Sequence, residues 1–190
     1  MIIKKIHNMT NIAVHLAEGF EEIEAISIID VLRRARLDVT TVSVTGKKEV
    51  KGNHNIPVIA DKLFEEVNYN NVEMIVLPGG MPGARHLNEH EGLKKQIKAF
   101  ADEDKPMGAI CAAPLVLGEL GLLEGKKAVC YPGYEKYLKG ATILEEPTLQ
   151  CENIIMGRGA GVAIKFALKI VEYLEDKKVA EKLAEDMLVE

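Results

Sequence analysis

Apolar positions along the chain fall into short runs of two kinds. Runs that are continuous or alternating over about six residues read as strands. These are "NIAVHLA" (Asn11–Ala17), "VEMIVLPGG" (Val72–Gly80) and "PMGAI" (Pro106–Ile110). "DVTTVSVT" (Asp38–Thr45) alternates apolar with polar, as a half-exposed strand does. "KAVCYP" (Lys127–Pro132), "TLQCEN" (Thr148–Asn153) and "IIMG" (Ile154–Gly157) are further strand candidates. Runs that repeat every three to four residues predict helices over Glu21–Ala35, Gly92–Asp104, part of Ala113–Leu123, and Val162–Asp176. In the last of these, Ile164, Ala167, Leu168, Val171 and Leu174 are expected to face the core, with Lys165, Lys169 and Glu172 opposite. "GKKEVKGNHN" (Gly46–Asn55) reads as a charged hairpin-like excursion.

Strands and helices alternate, and the middle strands are apolar throughout. Such strands need cover on both faces, which predicts one α/β domain with a mostly parallel sheet between helical layers. The 190 residues suit a single domain spanning 1–190, with no repeat or linker. In open sheets of this kind, sites form at the carboxyl ends of the strands. Three segments end strands there: "AEGFEE", "LPGG" and "AICAAP".

Composition narrows the classes. A net charge of −5 with few aromatics supplies no basic patch for nucleic acid. No apolar run reaches the length of a membrane span. The opening "MIIKKIHNM" is too short and charged for a secretion signal, and Met9 can serve as an alternative start, leaving Met1–Asn8 as an extension. Cys111, Cys130 and Cys151 make an odd count without a CxxC pair, which fits free thiols and a cytoplasmic location.

"AICAAP" is the most informative segment. Cys111 ends a strand and begins a helix, the layout of a nucleophile elbow. Ala112 and Ala113 leave room for a cramped backbone, and Pro114 suits a first helical turn. A helix amino terminus favours negative charge, so the thiol is expected to be more acidic than a free one. The alternative is that Cys111 is a small buried hydrophobe. Gly79 and Gly80 let the backbone approach a ligand, and their N–H groups with that of Ala112 can hold an oxyanion; the alternative is an ordinary turn. On a helical wheel Glu24 falls among Ile28, Val31 and Ala35, so it is the acid expected to be forced inward, where burial raises its pKa. The alternative is a stem that reaches water. Glu22 projects near Arg33 and is expected to be solvated, while Glu21 opens the helix.

These pieces together resemble the ThiJ/PfpI superfamily, and within it the branch of the parkinsonism-associated deglycase. The resemblance runs from Asn11 to about Lys182, through "EGFEEIE", "LPGGMPGARHL", "AICAAP" and "RGAG" in order. It implies a flavodoxin-like three-layer α/β sandwich and a homodimer. It places the family's nucleophile on Cys111, its acid on Glu24, and its oxyanion-holding amides on Gly80 and Ala112. The protease-like branch carries a His directly after the Cys; here Ala112 stands there, so peptidase activity is not expected. Glyoxalase and deglycase members often draw a His from the strand beyond the elbow, and the matching position is Tyr131. Proton transfer then rests on Glu24 or water. The family's "GPG" is here "GAG" (Gly159–Gly161).

The resemblance implies a cofactor-independent enzyme acting on methylglyoxal-like α-oxoaldehydes or on their early adducts, including glycated protein. The alternative is a sensor of oxidative stress or a chaperone that uses oxidised Cys111 without turnover. Neither needs a metal or organic cofactor. His86 and His90 are four apart, but no third ligand is evident, so no metal site is expected. His15 is expected to be a satisfied core residue, and Cys130 and Cys151 to be structural. His54, in the hairpin, is a candidate to support the site from behind. Ile23 and Ile26 exceed what one core face needs and are expected to belong to a dimer surface.

Overall fold

A computed structural model describes residues 11–189, so Met9 and the extension Met1–Asn8 lie outside the described residues. β1 (Asn11–Leu16) leads into α1 (Glu22–Arg34) and β2 (Asp38–Ser43). β3 (Glu49–Lys51) and β4 (Pro57–Ile59) form the antiparallel hairpin, followed by β5 (Lys62–Leu63) and β6 (Met74–Leu77). Next come α2 (Gly83–Glu89), α3 (Glu91–Asp102), β7 (Met107–Ile110) and α4 (Pro114–Glu119). The chain continues through β8 (Lys127–Ala128), β9 (Thr142–Ile143), β10 (Thr148–Cys151) and β11 (Ile154–Gly157), and ends in α5 (Ala163–Leu174) and α6 (Lys177–Asp186).

The main sheet has seven strands in the order β10-β11-β7-β6-β1-β2-β5. Every pair in it is parallel except β10 against β11. Side chains of the central strands alternate between two cores, as a period of two requires. Ile12, Val14 and Leu16 of β1, with Met74 and Val76 of β6, pack against α1 and α5. Ala13 of β1, with Ile75 and Leu77 of β6, packs with Leu87, Leu93 and Ile97 of α2 and α3 and with Leu115 to Leu117 of α4. This is the three-layer arrangement that the apolar strands demand.

Three expectations shift. The core stripe of α5 is Ala163, Phe166, Ala167, Leu168, Ile170 and Val171, so Ala167, Leu168 and Val171 stand as expected, while Ile164 is 37% exposed. Phe166 and Ile170 bring more apolar surface than Ile164 and Leu174, so the helix rotates to bury them, at about 1.5–3 kcal/mol per large side chain. "KAVCYP" is strand only at Lys127–Ala128; Cys130 is buried beyond its end, in a loop. Helices α2 and α6 escape the periodic pattern because each buries so little: Gly83, Ala84 and Leu87 in α2, and Ala180 alone in α6.

Candidate active site

The carboxyl ends of β1, β6 and β7 lie side by side in the sheet, and three loops meet there. β7 ends at Ile110, and Cys111 follows with φ of 64°. That left-handed conformation costs a non-glycine residue on the order of 1–3 kcal/mol. It is held by the Cys111 N–H donating to Gly157 O at 2.9 Å and by Ala113 N–H donating to Ile110 O at 2.9 Å. Pro114 then opens α4 without losing a hydrogen bond. The sharp turn is the one that the sequence predicts at this position.

Glu24 is fully buried, as its place on the wheel suggests. Its Oε2 accepts the Gly79 N–H at 2.8 Å. Its Oε1 has no nitrogen or oxygen partner, and the carboxyl faces the Cys111 thiol. Gly79 is needed for this approach: a Cβ there would lie 2.7 Å from both Cys111 Cβ and Glu24 Oε2. Gly80 adopts φ of 88°, and a Cβ there would collide with the Glu21 backbone nitrogen. The Gly79 amide is therefore committed to Glu24, which leaves Gly80 and Ala112 as the amides that favour negative charge at sulfur.

Burial pushes the Glu24 carboxyl up to about 7. Burial, and then the Glu24 carboxylate beside it, push the Cys111 thiol up to about 12. This departs from the acidic thiol expected of a helix amino terminus, because burial first, and then the Glu24 carboxylate, outweigh the Gly80 and Ala112 amides. Two buried neighbours of the same sign resist double ionisation, so the pair carries at most one negative charge near neutrality. When the proton sits on Glu24, the repulsion vanishes and the carboxyl can donate to sulfur. The Gly80 and Ala112 amides then stabilise the thiolate.

The pair opens into a cavity of about 360 Å³. Glu21, Met81, Tyr131 and Ala160 form part of its wall, and so do Asn53 and Tyr134, which sequence reasoning missed. Tyr131 is half exposed at the rim, with its N–H donating to Cys111 O at 2.8 Å. Asn53 arrives on the hairpin turn, held by its N–H to Phe20 O at 2.8 Å. Only the tertiary fold brings these residues in; a polar turn such as "GNHN" and the tyrosines of "YPGY" were the faint signals.

His54 lies outside this cavity. Its Nδ1 is 2.9 Å from Glu22 Oε2 and 3.7 Å from Glu21 Oε2, and its N–H donates to Glu22 Oε1 at 2.6 Å. Glu22 is thus buried under the hairpin rather than solvated beside Arg33, which pairs with Asp61 instead. Burial would raise the Glu22 carboxyl, but bonds from His54 and the hairpin backbone outweigh it and hold it below the usual range. The hydrogen bond to Glu22 raises the imidazole of His54. Glu21, Glu22 and His54 place one donor atom each within 4.8 Å of one another, a spacing that the His54–Glu22 ion pair and the hairpin hydrogen bonds account for. His86 and His90 serve different loops: His86 Nδ1 bonds Glu18 O at 2.9 Å, and His90 caps α3 by accepting the Leu93 N–H. No helix among the described residues is long and apolar enough to cross a membrane.

An α/β sandwich with a strained cysteine after a central strand and a buried acid against it defines a class of cysteine-elbow proteins. Within that class this chain belongs to the DJ-1/PfpI family, whose pattern matches residues 10–173. It is 39% identical over 179 residues to Protein DJ-1 homolog B of Arabidopsis thaliana, covering 94% of this chain but 41% of that protein. The chain thus spans less than half the length of that curated relative. It is 32% identical over 159 residues to Glutathione-independent glyoxalase DJR-1.2 of Caenorhabditis elegans, covering 83% of this chain and 84% of that one. Among solved structures, Toxoplasma gondii DJ-1 in an oxidized form superposes with a TM-score of 0.90 at 38% identity, covering 94% of this chain and 98% of its own.

Proposed function

We propose that this chain is a cysteine-dependent enzyme that converts methylglyoxal-like α-oxoaldehydes, or their early adducts with amines, to 2-hydroxy acids. The observation that carries the reading is the strained Cys111 set against the buried Glu24 at the floor of a 360 Å³ cavity. The glyoxalase name of one relative supports the reaction class.

The Cys111 thiolate adds to the aldehyde carbon. A C–S bond forms and the carbonyl pair moves to oxygen, where the Gly80 and Ala112 amides stabilise it. The proton held by Glu24 passes to that oxygen. The carboxylate then takes the proton from the same carbon and returns it to the neighbouring one, while the hydroxyl proton crosses to the adjacent oxygen. The hemithioacetal becomes the thioester of a 2-hydroxy acid. Water adds, the C–S bond breaks, and the acid leaves. Oxoaldehyde plus water gives hydroxy acid, so the balance needs no oxidant. With a hemiaminal adduct, the C–N bond breaks first, the amine leaves with the hydroxyl proton, and the aldehyde so released follows the same steps. Tyr131, at the rim, supplies no imidazole for this transfer.

A second reading rests on Glu24 Oε1, which a protonated carboxyl would direct at sulfur oxygens. There a peroxide oxidises Cys111 by two electrons per step to sulfenate and sulfinate, and the protein signals without turnover. The deciding experiment measures alkylation of Cys111 against pH, then methylglyoxal turnover, in wild type, Cys111→Ser and Glu24→Gln. Turnover lost in both variants supports the enzyme. A reactive cysteine without turnover in wild type selects the sensor, and an unreactive Cys111 overturns both readings. The chain is further proposed to pair with a second copy through Ile23 and Ile26, which are 60% and 46% exposed; a monomer by sedimentation would end that proposal.

A further inference from the structure

The proposed reaction moves one proton between two oxygens. It leaves the hydroxyl on the carbon bound to sulfur, and one arrives on the neighbouring carbonyl oxygen. The Gly80 and Ala112 amides serve the first oxygen. The second gathers charge when Glu24 removes the carbon-bound proton, and a donor aimed at that charge speeds such a step.

Apart from the Cys111–Glu24 pair, the cavity wall offers three side-chain donors: Asn53, Tyr131 and Tyr134. Asn53 is exposed, and an amide donates a hydrogen bond without releasing its proton. Tyr131 is half exposed at the rim. Tyr134 is the more buried of the two tyrosines, and the Cys111 charge acts on its hydroxyl.

Tyr134 is also held in place. Its ring meets that of Tyr131 edge-on, with centroids 6.4 Å apart, and lies 6.0 Å from that of Tyr137. Its N–H donates to Tyr131 O at 3.1 Å, and its own carbonyl accepts the Tyr137 N–H at 3.0 Å. Its hydroxyl makes no hydrogen bond among the described residues, so the donor is unspent. Burial, and then the Cys111 charge, raise the phenol, which therefore holds its proton at neutral pH. The Arg85 charge acts in the opposite sense and favours the phenolate formed in passing.

We infer that Tyr134 is a catalytic residue that carries the proton between the two substrate oxygens. Glu24 takes the carbon-bound proton, and that electron pair forms the C=C bond of an enediol. The carbonyl pair moves to the second oxygen, which takes the Tyr134 proton. Glu24 then returns its proton to the second carbon. The first hydroxyl gives its own proton to the Tyr134 phenolate, and its oxygen becomes the thioester carbonyl. Both residues end as they began. This rests on the enzyme reading above and assigns one of its steps.

The test is Tyr134→Phe, which keeps the ring and removes the donor. Methylglyoxal kcat is expected to fall by about 10²-fold, the low end for general acid–base catalysis. The kinetic isotope effect with methylglyoxal deuterated at the aldehyde carbon is expected to rise, because the carbon-bound proton then limits the rate. Propanal forms the hemithioacetal but has no second oxygen. Its protection of Cys111 from alkylation is expected to match wild type. An unchanged kcat would overturn the assignment and leave the enzyme reading standing. So would a loss of kcat matched by an equal loss of propanal protection, which would make Tyr134 a wall residue only. If the wild type turns over no methylglyoxal, the enzyme reading fails and takes the assignment with it.

Discussion

His15 and Glu24 are both wholly shut off from water, and both leave one polar atom without a partner, Nδ1 and Oε1. Burial moves both in the same sense, against the charged form: His15 is lowered to about 3 and Glu24 is raised to about 7. Yet one is packing and the other is chemistry. His15 bonds Tyr69 Oη at 2.7 Å and stacks on its ring, with Phe64 closing the side. No nucleophile touches it. Glu24 has a thiol against it and a cavity beyond. A perturbed pKa is thus a property of desolvation, and a site requires in addition a reacting partner and room for a substrate.

Substitutions can break this contrast, and the largest effect falls on rate. Glu24→Gln keeps an acceptor for Gly79 but cannot take a proton. It is expected to lower methylglyoxal kcat by about 10²–10⁴-fold, the usual worth of general acid–base catalysis. His15→Gln is expected to leave kcat unchanged. A steady-state assay on both variants checks this, and equal losses would erase the distinction.

The next effect is acid sensitivity. The unfolded His15 takes a proton below about 6.5 and the folded one only near 3. Its stabilising contribution is present above pH 6.5 and is lost as pH falls, by at most about 5 kcal/mol. In urea titrations from pH 7 down to pH 4, the midpoint of His15→Gln is expected to rise relative to wild type as pH falls, because the variant lacks this loss. Glu24 has the opposite sign and a smaller size. The folded carboxyl holds its proton up to about 7 and the unfolded one only to about 4.5. Stability is full below pH 4.5 and declines up to pH 7, by roughly 3 kcal/mol. Glu24→Gln is therefore expected to gain on wild type between pH 5 and pH 8 in the same urea series.

The smallest expected change is a gain. Tyr131→His places an imidazole at the cavity rim and is expected to raise methylglyoxal kcat by about tenfold, below the 10²–10⁴-fold of a fully positioned proton-transfer group. No gain would mean that the groups already present handle every proton, and would sharpen the contrast of Glu24 with His15.

Much of this was legible in residue order, for physical reasons. An apolar run ending in Cys-Ala-Ala-Pro announces both a buried strand and the turn that closes it. A carboxylate on the apolar side of a wheel has nowhere to go but inward, and Glu24 does so. What stayed hidden came from neighbours the local pattern does not contain. The wheel placed Glu22 in solvent because it knows one helix and not the hairpin lying over it. It likewise set Ile164 in the core, where Phe166 competes better. Gly79 looked free to bind an oxyanion until Glu24 claimed its amide. Asn53 and Tyr134 reach the cavity from loops whose sequences carry turn chemistry alone.

The hairpin's attachment has a mechanical side. Its tip is strapped to Glu22, two residues from Glu24 on the same helical turn, and it carries Asn53 into the cavity wall. The acid and that stretch of wall therefore ride on one stiff fragment. The Gly79 N–H bonded to Glu24 Oε2 ties that fragment in turn to the end of β6, so this part of the wall is anchored at both ends, to the hairpin and to the sheet.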